Sequence, residues 1–196
     1  YFRAYRQKEI RELASDTFKI IRANARFVSP HEVVSAGERY RFDAAIIANG
    51  STTTLPKIEG LDRSWDGVWT SDEILHSTRI PRSLAVIGAG AIGLEFSLRY
   101  ARLGCEVTLV SHSTVLARYP EKFGERLASI YEREGIRVLT HRKVAGISRE
   151  NSGEFAFATE GAANLAPIAA EKILMAPGSR PTGKNLRLEP LSGGRN

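Results

Sequence analysis

Three glycines, Gly88, Gly90 and Gly93, punctuate the apolar stretch SLAVIGAGAIGLEF at residues 83–96, and a carboxylate, Glu95, stands just behind them. G-x-G-x-x-G spacing between a strand and a helix is suited to holding the pyrophosphate of a dinucleotide. The three positions have separable tasks. Gly88 permits the sharp turn out of the strand, and Gly90 leaves room for a phosphate to approach the backbone. Gly93 lets the helix pack closely on the sheet. The helix N-terminus then offers free N–H groups and a partial positive charge to an anion. The competing reading is a packing turn without a ligand. Context favours the ligand: an apolar strand precedes the turn, an amphipathic helix follows it, and a second strand arrives about 20 residues later.

The tip of that second strand bears on which nucleotide is held. An Asp or Glu there would hydrogen-bond a ribose 2′-hydroxyl. EVTLVSHSTVLARYP instead places Ser111 at the tip, with His112 next and Arg118 further on. A carboxylate would repel a 2′-phosphate, whereas hydroxyls with His112 and Arg118 would accept one, which leans toward NADP. Ser111 can equally bond an unmodified ribose, and His112 can be a solvated loop residue. Glu95 is out of place in an apolar helix start. It calls for solvent beside Arg99, its i+4 neighbour, or for a cation supplied elsewhere in the protein.

Strands alternating with helices must position these residues. SLAVIG predicts a strand and AIGLEFSLRYARLG a helix with Leu94, Leu98 and Ala101 on one face. EVTLVS is the next strand. PEKFGERLASIYEREG is a second helix, opened by Pro120, closed by Gly135 and carrying Phe123, Leu127, Ile130 and Tyr131 at helical spacing. IRVLTHRKV reads as a third strand, GEFAFATEG as part of a polar meander, and EKILMAPG as a last buried strand. This βαβ order implies an α/β class with a parallel sheet and right-handed crossovers.

Upstream, RQKEIRELAS predicts a helix, FKIIRANARFVS and HEVVSA predict β segments, and FDAAIIANG predicts a short buried strand ending in the Asn49-Gly50 turn. The Ser-, Thr-, Pro- and Gly-rich stretch from Ser51 to Pro81 lacks a period and reads as a connector, with a domain boundary near residues 76–81.

The chain has 196 residues, 42% of them hydrophobic and 26% charged, which fits a globular chain that buries a core. No apolar run approaches the ~18 residues of a membrane span, and YFRAYRQKEIRE is no secretory leader. The first residue is Tyr1, which suggests a piece of a longer protein. The net charge of +6 raises nucleic acid as a partner, but the basic residues are interspersed with acids and no binding motif accompanies them. Cys105 is the single cysteine, which excludes an internal disulfide and a cysteine-based metal site. A small buried hydrophobe in a cytoplasmic, reducing setting is the expectation for it.

At this point the sequence resembles the two-dinucleotide flavoprotein disulfide reductases, the family of dihydrolipoamide dehydrogenase, glutathione reductase and mercuric reductase. IPRSLAVIGAGAIGLEFSLRYARLGCEVTLV is similar to the start of the family's pyridine-nucleotide domain. AAIIANGSTTTLPKIEGL is similar to its ATG-type stretch, and EKILMAPGSRPTGKNLRLE to the second such stretch. The resemblance implies a Rossmann-like NAD(P)-binding domain over 79–182, a partial FAD-binding domain and connector over 1–78, and a return to the flavin domain from 183.

By position, the resemblance implies that Gly88, Ala89, Gly90, Ala91, Ile92 and Gly93 line the NAD(P)H phosphates and nicotinamide channel. Glu95 would lie near the nicotinamide and flavin rings and pair with a lysine of the flavin domain. Val144 would lie near the adenine and Gly178 near the nicotinamide half, while Ala25, Asn49, Gly50 and Ser51 would meet FAD through backbone.

The family's first FAD fingerprint, its CxxxxC pair, its later GD motif and its dimerisation domain are all outside these residues. ANG stands where ATG is usual, and APGSRPT departs from ATGRxPN. The resemblance therefore implies the NAD(P)H-binding part of an FAD-dependent NAD(P)H:disulfide oxidoreductase, inactive alone. Its parent would be a homodimer acting on a disulfide or small molecule, without metal, nucleic acid or membrane. A nucleotide-binding or sensing module without catalysis is the second reading.

Overall fold

A computed structural model describes residues 18–160 and 168–191. The predicted helix over RQKEIRELAS lies outside them. By contacts the chain divides into two units, one of Tyr1–Gly50 with Pro181–Asn196 and one of Ser51–Arg180.

In the smaller unit, β1 (Ala25–Ser29), β2 (Glu32–Ser35) and β3 (Glu38–Arg41) form an antiparallel meander in the order β1-β2-β3. Phe27 is buried and meets Phe42 edge-on with ring centroids 6.0 Å apart. FDAAIIANG forms no strand in this structure, contrary to the sequence-based expectation. Ile46 is 95% exposed and Ile47 45% exposed. The run has the composition of a buried strand, but it has no ladder partner among the described residues, and an isolated strand gains nothing from its sequence.

The larger unit opens with β4 (Ser51–Thr53), β5 (Val68–Trp69) and a short helix α1 (Ser71–Ile74). The strand–helix alternation follows: β6 (Ser83–Ile87), α2 (Ala91–Arg102), β7 (Glu106–Val110), α3 (Glu121–Arg133) and β8 (Arg137–Leu139). Then come β9 (Lys143–Arg149), β10 (Phe155–Glu160), β11 (Ile168–Ala170), β12 (Lys172–Met175) and β13 (Ser179–Pro181). A five-stranded sheet runs in the order β5-β12-β6-β7-β8 with every pairing parallel. This is a Rossmann-like sheet, as the βαβ reading predicted. β9, β10 and β11 form a separate antiparallel meander.

The sheet is buried on both faces, which is why SLAVI is apolar at consecutive positions. Leu84 and Val86 of β6 join Val107, Leu109 and Leu174 in a core with Leu94, Phe96, Tyr100 and Tyr131 of the helices. Ala85 and Ile87 face the opposite way, into a core with Val110, Ile173, Met175, Phe155 and Phe157. Leu55, Ile58, Leu61 and Trp65 pack on that second core, so the stretch read as a connector is part of the domain. Its edge strand β5 contributes two residues, too few for any period to show in sequence.

Other departures are local. IRVLTHRKV is broken into β8 and β9 at His141, which has φ 54°. Phe123, placed by periodicity on the apolar face of α3, is 64% exposed. Gly124 takes the inner position instead, because a Cβ there would collide with the Val115 carbonyl. Gly135 has φ 83° and ends α3 as the sequence indicates. Arg82 ties the sheet to the meander: its Nη2 donates to Glu154 at 2.9 Å and its backbone N–H to Glu171 at 2.9 Å. Tyr131 Oη donates to the Leu94 carbonyl at 3.1 Å, joining α3 to α2. Cys105 is buried, and burial pushes its thiol up to about 12.

Ser97 is fully buried in α2, and its hydroxyl has no hydrogen-bond partner. A buried, unsatisfied hydroxyl opposes folding, and alanine is the better helix former. Ser97→Ala is expected to raise unfolding free energy by about 0.5–1 kcal/mol in a urea titration.

Candidate dinucleotide site

The sheet register gathers the site. Ile87 pairs with Val110 and Val110 with Leu139, so Gly88, Ser111 and the β8–β9 loop leave the sheet at one C-terminal edge. Ligands of open parallel sheets bind at that edge.

Each glycine does what its position demands. Gly88 has φ 114°, and its Cα faces the Ala176 carbonyl so closely that a Cβ would strike it. The Gly88 N–H still donates to Val110 O at 2.8 Å, keeping the turn on the ladder. A Cβ on Gly93 would collide with the Gly88 carbonyl and stand 3.4 Å from Val86 Cγ1, so α2 lies directly on β6. At Gly90 a Cβ would meet nothing within 4 Å, and φ is −79°, an ordinary value. Neither strain nor packing requires glycine there. The open space is what a phosphate approaching the backbone needs. Gly90 is the N-cap of α2 and makes no side-chain cap hydrogen bond, which leaves first-turn N–H groups available to an anion.

Ala89 is buried and accepts the Leu116 N–H at 3.0 Å, fastening the loop after β7 to the glycine turn. Ala91 is exposed and Ile92 is 43% exposed. Glu95 is also exposed, one turn beyond Ile92 on the same helix, and forms no ion pair with Arg99 or any other described residue. An apolar side chain and a free carboxylate thus share one face at the mouth of the turn.

In the loop after β7, Ser111 is buried and its Oγ accepts the Ser113 N–H at 3.3 Å. His112 and Arg118 are exposed. Val144 opens β9 with its side chain buried in the core shared by Val110 and Ile147. Gly178 has φ 119°, and its carbonyl accepts the Thr54 N–H at 2.9 Å.

Four further residues are those that the resemblance assigns to the flavin. Ala25 opens β1, and Asn49 and Gly50 are exposed in the smaller unit. There Thr182 Oγ1 donates to Asn49 O at 2.7 Å, and the Asn49 amide donates to Thr182 O, so ANG and RPT are stitched together. Gly50 has φ 77° with no atom near its Cβ position, which suits a backbone contact with a ligand. Ser51 opens β4 and is exposed. Among the described residues no group of three or more His, Cys, Asp or Glu could hold a metal ion, and no helix is long and apolar enough to cross a membrane.

One residue at this edge escaped the sequence reading. Arg142, in the β8–β9 loop, donates its backbone N–H to Ser111 O at 2.8 Å and has a buried Nη1 without a hydrogen-bond partner. Nothing in THRKV marks it, because the loop exists only through the break at His141.

The parallel sheet with its glycine turn defines a Rossmann-like α/β protein. The family follows from comparison. The family model "Pyridine nucleotide-disulphide oxidoreductase" matches residues 3–192, and the chain belongs to that family. It is 35% identical over 175 residues to mercuric reductase of Acidithiobacillus ferrooxidans, covering 87% of this chain and 31% of the relative. It is 35% identical over 181 residues to dihydrolipoyl dehydrogenase of Thermus scotoductus, covering 90% and 38%. The Cu(II) complex of the HOCl-induced flavoprotein disulfide reductase RclA from Escherichia coli superposes with a TM-score of 0.78 at 25% identity, covering 96% of this chain and 42% of that one. The chain therefore spans about a third of the length of the curated relatives it matches.

The Gly93 contact yields a stability prediction. Gly93→Ala is expected to destabilise the fold by about 3 kcal/mol, read as a lowered midpoint in thermal or urea unfolding, because the obstruction is backbone and cannot rotate away.

Proposed function

We propose that this chain is the pyridine-nucleotide-binding part of an FAD-dependent oxidoreductase in which NAD(P)H gives a hydride to the flavin. The observation that carries this reading is the Gly90 position, where the residue is glycine although neither strain nor packing demands it. The pyrophosphate would lie against the backbone of Gly88, Gly90 and Ala91, at the N-terminus of α2. Ile92 and Glu95 would border the nicotinamide. Glu95 would pair there with a lysine of the flavin domain, which matches a carboxylate that has no ion pair among the described residues. Gly178 would flank the nicotinamide half and Val144 the adenine, through backbone, since the Val144 side chain is buried.

FAD, when bound, supplies the acceptor for the hydride, and this chain would contribute the backbone of Ala25, Asn49, Gly50 and Ser51 to its binding. The final electron acceptor of the whole protein would be a disulfide or another small molecule. A preference for NADP is supported by the absence of an acid at the tip of β7 and by the exposed His112 and Arg118. A cytoplasmic homodimer, joined through a domain beyond these residues, is part of the same proposal.

The test is calorimetric titration of the full-length protein with NAD+ and NADP+, wild type against Gly90→Ala. The variant is expected to keep its thermal midpoint and to lose tenfold or more in affinity, about 1.4 kcal/mol. Unchanged affinity would remove the glycine-turn reading.

A further inference from the structure

In the smaller unit, one threonine holds both carbonyls of the Asn49-Gly50 turn. Thr182 Oγ1 lies 2.7 Å from Asn49 O and 3.0 Å from Gly50 O, and the Thr182 N–H donates to Gly50 O at 3.1 Å. The Asn49 side-chain amide answers from its own side, donating to Thr182 O and, at 3.3 Å, to Thr182 Oγ1. Each residue therefore donates to the other and accepts from it. A hydroxyl offers one proton and two lone pairs, and an amide nitrogen offers two protons, so the set is chemically consistent.

Holding the carbonyls fixes where the donors of the same peptides point. Neither peptide is cis, so in each planar unit the N–H is directed opposite to the C=O. Asn49 O and Gly50 O both face Thr182, so the N–H groups of Gly50 and Ser51 face away from it. Gly50 has φ 77° and no atom within 4 Å of its Cβ position, which leaves its backbone open to approach. Two successive N–H groups turned to one side are suited to an acceptor atom of a ligand. Asn49 and Thr182 are exposed, so each bond competes with water and adds little to folding stability. Their shared effect is to orient the turn.

Two departures from the family's usual stretches meet in this pair. Asn49 stands where ATG has threonine, and Thr182 stands where ATGRxPN ends in asparagine. They are the halves of one amide–hydroxyl pair with its ends exchanged.

We infer that Thr182 is a positioning residue for the flavin: with the Asn49 amide, its hydroxyl aims the Gly50 and Ser51 N–H groups at acceptor atoms of FAD. This rests on the proposed binding of FAD by the Asn49, Gly50 and Ser51 backbone. Thr182 acts through that backbone and not by touching the cofactor.

The experiment is titration of the FAD-free full-length protein with FAD, followed by flavin fluorescence, with the thermal midpoint of the FAD-free protein measured alongside. Thr182→Val is expected to weaken FAD by about fivefold at a midpoint near that of wild type, and Thr182→Ser to bind within about twofold of wild type. Asn49→Thr and Thr182→Asn are each expected to lose about fivefold, and the double variant to return within about twofold of wild type. Losses that multiply in the double variant overturn the pairing. A serine variant as weak as the valine variant overturns the role of the hydroxyl. A lowered midpoint with unchanged FAD affinity marks a structural role and overturns the assignment. Wild-type protein that binds no FAD overturns the underlying flavin proposal, and this assignment with it. Wild-type binding with no change in Thr182→Val overturns the Thr182 assignment alone.

Discussion

The larger unit depends on one close approach, the seating of α2 on β6 where Gly93 lies over the Gly88 carbonyl. Without a side chain between them, the helix start and the strand end are held at backbone distance. That proximity fixes the direction in which the first-turn N–H groups point. It also brings the turn under the Ala176 carbonyl at the end of β12, so three elements converge on two glycines. Packing at this point is not adjustable, because every obstruction to a larger residue is main chain and not a rotatable side chain.

The rest of the unit keeps that junction dry and level. Consecutive residues of β6 alternate between a helical core and a meander core, so each strand residue is covered whichever way it faces. Tyr131 anchors α3 to the Leu94 carbonyl, within α2 and one residue before Glu95. Leu116 and Gly124 settle the loop after β7 against the turn and against α3. Arg82 holds the opposite end of β6 to the meander through two carboxylates, Glu154 and Glu171. These surface ion pairs orient more than they stabilise.

What could be read from the sequence was whatever is encoded by neighbours along the chain. The glycine turn, α2, α3 and the parallel strands follow from local apolar periods and from turn residues, and the structure has them. What could not be read depends on partners distant in sequence. β5 is a strand only because β12 lies beside it, and its two residues carry no pattern. FDAAIIANG has a strand's composition, but composition does not supply the neighbouring strand that would make it one. Phe123 fits the period of α3, yet the close contact belongs to Gly124, one residue on. Arg142 carries no local pattern, because it is the break at His141 that brings its backbone N–H to the Ser111 carbonyl. The family resemblance went further than the periods, because it drew on the order of motifs over most of the chain.

Cys105 has a consequence for a member of a family that handles disulfides. A thiol reacts in exchange only as the thiolate, and with burial holding its ionisation near pH 12 that form is about one part in 10⁵ at neutral pH. Cys105 lies just before β7, the neighbour of the central strand β6, and the far end of β7 borders the candidate nucleotide edge. It is in effect electrically insulated: a sulfur that can neither be attacked readily nor attack. The fold can therefore carry a cysteine in its core without offering a reactive thiol.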